Sequence, residues 1–204
     1  MERKEFDALK QTYYYNESDG FKTTGHKVER TLFCESKSIE SLGEEIEFKY
    51  KEKIVFHKEQ NEKTNKKAIC IGYNPANASE EIDITNKRLI DCLWEEYDEY
   101  TLINLYPQVS LDKAACLSDL KENQNFSNVI IDIIKKEKDC IILFFGKSVY
   151  INEDIYSALK KRIKKRKPTR MTTYNEKFTH PRSNIKVELM DVKKDSLISL
   201  YKIV

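Results

Sequence analysis

The sequence predicts an α/β fold: a three-layer sandwich around a central, mainly parallel β-sheet, with an antiparallel amino-terminal extension. Three observations predict it. The runs Ala68-Ile69-Cys70-Ile71 and Cys140 to Phe145 are short and continuously apolar, as strands covered on both faces must be. Segments with helical spacing of apolar residues lie between such runs, and that alternation joins parallel strands through crossover helices. Residues 1–65 carry shorter β-prone pieces among polar connectors, the pattern of strands added at a sheet edge.

In chain order, Thr31 to Cys34 and Ile46 to His57 are the β-prone pieces of the extension. Lys67 to Tyr73 is the first buried strand. Asp83 or Thr85 caps a helix running to about Tyr97, in which Leu89, Ile90, Leu93 and Trp94 share one face. Thr101 to Leu105 is the next strand and ends at Pro107. Ser110 caps a helix over Leu111 to Lys121, and another spans Asn128 to Lys138. Cys140 to Phe145 is the most apolar strand and stops at Gly146. Asn152 caps a basic helix to Lys167, broken by Pro168, and Ile185 to Met190 alternates as a late strand. The division expected is an extension over 1–65 packed on the same domain as an α/β core over 66–204.

Lys and Arg number 36 against 34 Asp and Glu, a formal net charge of +2, so any contact with a polyanion must come from local clustering. One cluster exists. Lys160, Lys161, Arg162, Lys164, Lys165, Arg166, Lys167 and Arg170 fall within one segment, either as phosphate contacts or as the solvated, dipole-matched end of a helix. The five cysteines, Cys34, Cys70, Cys92, Cys116 and Cys140, show no C-x-x-C spacing, so they read as reduced thiols of a cytoplasmic protein rather than a zinc site or disulfide framework. No apolar run approaches the ~20 residues needed to span a bilayer, and the first residues lack a signal core.

In sheets of this class the ligand crevice lies outside the carboxyl ends of the parallel strands. That rule selects Gly72 to Asn77, Asn104 to Pro107, Gly146 to Ser148 and Thr179 to Asn184. Gly72 permits close approach and Pro75 stiffens the exit, which would hold the Asn74 carboxamide; the plainer reading is a tight turn in which Asn74 bonds its own backbone. Asn104 interrupts an apolar strand, and its carboxamide needs partners if buried. It either binds something or organises the following turn. His180-Pro181-Arg182-Ser183 sets a histidine before two phosphate-friendly side chains. Gly146-Lys147-Ser148 lacks the upstream glycine of a phosphate loop.

The ordered set Gly72-Tyr73-Asn74-Pro75, Leu102-Ile103-Asn104, Ile142 to Lys147 and His180-Pro181-Arg182-Ser183 resembles the uracil-DNA glycosylase superfamily. More closely, Asn74-Pro75-Ala76-Asn77-Ala78, Asp83-Ile84-Thr85, Asn104-Leu105 and His180-Pro181 resemble domain of unknown function 1643, a family of bacteria, phages and mobile elements. The resemblance spans about residues 66–192 and implies a glycosylase-like core. It implies that Asn74 positions the attacking water, Asn104 together with Gly72 and Tyr73 reads an extruded pyrimidine, and His180 stabilises charge on the leaving base. Arg182, Ser183, Lys164, Lys165 and Arg166 would contact DNA phosphates, and Tyr73, Tyr106 and Trp94 are the aromatic residues available to stack on the base. No metal or organic cofactor is required. The expected partners are DNA and a DNA-mimicking inhibitor protein, with no membrane. Arg182-Ser183-Asn184 stands where the superfamily carries a small residue and an apolar wedge, so a catalytically inactive binding module is the alternative. An enzyme acting on a free nucleotide or modified base is a third reading.

Overall fold

Cys70, Ile71, Ile141, Ile142 and Leu143 have no measurable exposure, because the strands that carry them are covered on both faces. The structure, a computed structural model, describes residues 9–14, 27–39, 44–73, 75, 83–109, 121–144, 149–174, 177–178, 188–192 and 201–203. Its strands are β1 (Leu9–Tyr14), β2 (Lys27–Ile39), β3 (Glu44–Phe56), β4 (Lys67–Gly72), β5 (Glu99–Asn104), β6 (Cys140–Leu143), β7 (Val149–Ile151), β8 (Thr169–Tyr174), β9 (Lys177–Phe178), β10 (Glu188–Asp191) and β11 (Tyr201–Ile203). The helices are α1 (Ile84–Leu93), α2 (Lys121–Lys136) and α3 (Glu153–Lys164).

Among the described residues one sheet has the order β1-β2-β3-β5-β4-β6-β8-β10, with β9 pairing β8; β7 and β11 form a separate parallel pair. Its centre, β5-β4-β6-β8, is parallel, and both flanks are antiparallel. The sheet is therefore mixed rather than mainly parallel, since the extension contributes three antiparallel strands to the same sheet. β3 bonds directly to β5, with Glu52 opposite Leu102 and Ile54 opposite Tyr100.

The two faces have separate cores. α1 packs through Leu89, Ile90 and Leu93 against Ala68, Cys70, Tyr100, Leu102, Ile142 and Phe144, joined by Val28, Ile54 and Phe56 of the extension. α2 and α3 pack through Ile130, Ile134, Ile155 and Leu159 against Ile71, Ile103, Ile141, Leu143 and Met171 on the other. Each fully buried aliphatic side chain contributes about 1.5–3 kcal/mol of gross burial free energy.

Two of the expected caps are seen, and Ser110 lies outside the described residues. Asp83 Oδ1 accepts from Asn86 N at 2.8 Å to start α1, and Asn152 Oδ1 accepts from Asp154 N at 2.7 Å to start α3. α2 begins at Lys121 rather than near Asn128, because its first turns are polar and carry no apolar periodicity. β8 lies where the sequence shows only a basic segment broken by Pro168. It reads as polar, yet Thr172 and Thr173 are buried at 0% and 3% exposure. The expected helix Leu111 to Lys121 lies outside the described residues except for Lys121, and the expected late strand is described only as β10.

Candidate functional site

β4 leads through α1 to β5 on one side of it, whereas β6 leads through α3 to β8 on the other. The chain therefore diverges between the carboxyl ends of β4 and β6, and a crevice opens at such a point. Three strand ends are tied together there. Gly72 is in register with Asn104. Beyond the strand ends, Leu105 N donates to Gly72 O and Tyr106 N to Tyr73 O, each at 2.9 Å. Across the divergence, Phe144 N donates to Ile71 O at 3.1 Å.

Gly72 leaves room for its neighbours. A Cβ at this position would stand 2.6 Å from Phe144 Cζ and 3.0 Å from Phe144 Cε2, and closer still to Asn104 Oδ1. The φ of Gly72 lies outside the left-handed region, so space and not backbone conformation requires glycine. The Asn104 carboxamide and the Phe144 ring thus converge over the bare Gly72 backbone, on the α1 side of the sheet. Asn104 is 4% exposed, and among the described residues its carboxamide has no hydrogen-bond partner. A carboxamide has two donors and an acceptor with two lone pairs, which a ligand with a complementary donor and acceptor can meet.

Beside Asn104, the extension supplies a buried charged wall. Glu52 follows Leu102 across the β3–β5 ladder and is fully buried. Arg30 Nε and Lys49 Nζ each approach its carboxylate at 2.5 Å, on Oε1 and Oε2 respectively. Asn86 Nδ2 donates to Glu52 Oε2 at 2.9 Å, and Tyr100 Oη donates to Asn86 Oδ1 at 2.8 Å. Burial alone would raise the Glu52 pKa; Lys49 and Arg30 together outweigh it and hold the carboxyl below its ordinary 4.5. A β-bulge makes this possible. The β2–β3 register slips between Phe33 and Cys34, pairing Phe33 with Lys51 and Cys34 with Lys49, so Tyr50 is the extra residue. Lys49 consequently faces Glu52, while Tyr50 packs on Phe126 of α2 with ring centroids 5.5 Å apart.

The sequence-predicted residues do not all meet here. Gly72 and Asn104 do. Asn74, His180, Arg182 and Ser183 lie outside the described residues, although Pro75 is buried just beyond Gly72. Tyr73 and Tyr106 pack edge to face, with centroids 5.1 Å apart, against the α2–α3 core on the opposite face from the Asn104 side chain. Trp94 sits at the far end of α1 with Phe56, beneath Lys58. Among the described residues, Phe144 is the aromatic side chain that stands against Gly72. It was visible in the sequence only as the last residue but one of an apolar run.

Lys164, Lys165 and Arg166 are exposed and close together, but they precede β8, at the amino ends of the parallel strands. From the Ile141–Thr169 pair to Phe144 is three residues of β6, so the segment stands at least about 10 Å from the crevice. The rest of the basic cluster is partly structural. Arg162 is 2% exposed and donates to the carbonyls of Ile134, Glu137, Asp139 and Pro168 at 2.6–3.2 Å, satisfying the free carboxyl end of α2. Lys167 bonds Lys135 O and Glu137 O, and Arg170 pairs with Glu96. Among the described residues, no group of three His, Cys, Asp or Glu could hold a metal ion, and no helix is long and apolar enough to cross a membrane.

The fold is that of an α/β protein with a mixed sheet, and at the divergence of its parallel strands the side chains of Asn104 and Phe144 meet over Gly72. Residues 55–182 match the family described as "Protein of unknown function (DUF1643)", more than half of the chain, and the protein belongs to that family. No curated protein and no solved structure matches it.

Proposed function

We propose that the crevice receives a pyrimidine base and that the core is uracil-DNA-glycosylase-like. The carboxamide of Asn104, 4% exposed and without a partner among the described residues, over Gly72 and beside Phe144, carries this reading. A carboxamide offers both a donor and an acceptor, which is what the pairing edge of a base requires, and the ring supplies an apolar wall for its π-face. In this reading Asn104 reads the base and Asn74 holds the water that attacks the sugar carbon as the carbon–nitrogen glycosidic bond breaks. His180 meets the charge left on the base, and Arg182 and Ser183 hold phosphates.

The position of the basic segment favours a second reading. Lys164, Lys165 and Arg166 stand at the opposite ends of the strands, so a base brought to Asn104 on a long duplex does not need them; a free nucleotide or base fits the crevice without them. One experiment orders the readings. The protein is incubated with oligonucleotides carrying uracil, mispaired thymine or hypermodified pyrimidines, and separately titrated with the free bases and nucleotides. Abasic sites that vanish in Asn104→Ala support the glycosylase. Binding of oligonucleotide without abasic sites identifies an inactive binding module. Binding of free nucleotides alone supports the second reading, and unchanged binding in Asn104→Ala refutes base recognition at this crevice.

A further inference from the structure

We infer that Lys49, supplied by the amino-terminal extension, receives negative charge on the ligand that Asn104 reads, so that the crevice selects anionic ligands over neutral ones. The inference rests on the reading of Asn104 as the base-reading residue and adds the ligand's charge to it. Three observations carry it. Lys49 is 3% exposed, and its ammonium has one described partner, Glu52 Oε2, which it shares with Asn86. An ammonium has three donors, so two are without a partner among the described residues, in a buried place where unmet donors are costly. Glu52, for its part, already accepts from Arg30 and Asn86. An aliphatic side chain at position 49 would spare the desolvation of a second cation, which makes a purely structural role an expensive one.

Placement is the second observation. Lys49 lies on the α1 face with Glu52, and its backbone N donates to Pro107 O at 2.8 Å, three residues beyond Asn104. Glu52 faces Leu102, so Asn104 is its diagonal neighbour on the same face, about 7–8 Å away or somewhat less for such pairs. Lys49 is displaced from Glu52 toward the same end of the sheet. The third observation is the Asn104 carboxamide itself, which has no partner among the described residues and in this reading is where the ligand is received. The first turn of α1, whose Asn86 shares the Glu52 oxygen with Lys49, adds the positive end of a helix; the Asp83 carboxylate there is engaged with Asn86 N.

The ligand chemistry is an oxygen bearing negative charge, from either a phosphate monoester or an ionised base. Two probe pairs separate these sources. Uridine 5′-monophosphate is compared with uridine, and 5-nitrouracil, which is ionised at neutral pH, with uracil. Calorimetric titration of the full chain is expected to show the anionic member of one pair binding about 10- to 100-fold tighter. Lys49→Met and Lys49→Gln should abolish that preference while leaving the neutral member unchanged, and Lys49→Arg should keep most of it. Both neutral variants should leave Glu52 paired with Arg30 and Asn86, and circular dichroism is the check that they fold. Asn104→Ala should weaken charged and neutral probes alike. Equal binding within both pairs, or a preference that survives in both neutral variants, overturns the role of Lys49. Asn104→Ala without effect overturns the base-reading crevice instead, so the two failures are told apart.

Discussion

Gly72→Ala tests the geometry of the crevice directly. The new Cβ would stand 2.6 Å from Phe144 Cζ, whereas carbon atoms pack at about 3.5–4.0 Å, so the ring must withdraw by roughly 1 Å. The ring is 2% exposed and belongs to the α1-side core, so it cannot swing freely. Overpacking of this kind costs about 1–3 kcal/mol. The amide of Asn104, the nearer neighbour, is a terminal group and turns aside at small cost to stability, but loses the orientation in which it meets a ligand. Urea unfolding followed by circular dichroism should therefore show a lower midpoint with an unchanged slope. Phe144→Leu removes the ring tip and should relieve part of the clash, giving a coupling of about 1 kcal/mol or more in a double-mutant cycle. An unchanged midpoint in Gly72→Ala, or strictly additive effects of the two substitutions, would refute the packing of three groups at one point.

Three other outcomes follow from described contacts. Arg162→Met should lower stability by about 3 kcal/mol or more in urea unfolding, because it leaves buried carbonyls at the end of α2 without donors. Arg166 has a φ of 55°, so Arg166→Gly should raise stability by about 0.5–1 kcal/mol, and base binding measured by titration should not change. Glu52 is held below 4.5 in the fold, so its stabilisation is complete above that value and is lost as the pH falls below 4.5 through the lower folded value. Stability measured against pH should show this acid loss, and Glu52→Gln should flatten it while destabilising the protein at neutral pH.

The parallel centre of the sheet was legible because burial on both faces leaves a direct mark, a run of apolar residues with no polar interruption. Asp83 and Asn152 were legible as caps because their signal is local. Asn104 was legible because an amide that breaks an apolar strand conflicts with the cost of burying it. What could not be read depends on contacts distant in sequence. Phe144 comes over Gly72 only because β6 lies beside β4, and nothing in Cys140 to Phe145 distinguishes that ring from a core ring. Lys49 and Glu52 read as one more charged pair in a chain with 34 acidic residues, and only the bulge at Tyr50 and the β3–β5 pairing bury them. Arg162 failed in the opposite direction: its neighbours in sequence are exposed cations, and three of the four carbonyls it donates to lie 23 to 28 residues away.

The family match begins at residue 55, whereas Arg30, Lys49 and Glu52 precede it, and Glu52, which Arg30 and Lys49 pair with, accepts from Asn86 inside it. If the extension were an ornament, a chain reduced to residues 66–204 should fold and keep the crevice. The contacts argue otherwise. Removal of residues 1–65 takes Val28, Ile54 and Phe56, all at 3% exposure or less, from the α1-side core, a gross loss of roughly 5–9 kcal/mol at 1.5–3 kcal/mol each. It also strips the ladder partner of Glu99 to Leu102, exposing an edge strand, and leaves Asn86 without the carboxylate it donates to. A domain holds only about 5–15 kcal/mol in reserve, so the shortened chain should lose cooperative unfolding and associate through β5, as calorimetry and sedimentation would report. A monomer of residues 66–204 with a sharp transition at the full chain's midpoint would show that the extension merely leans on the core, and the charged wall would then have to be explained by binding alone.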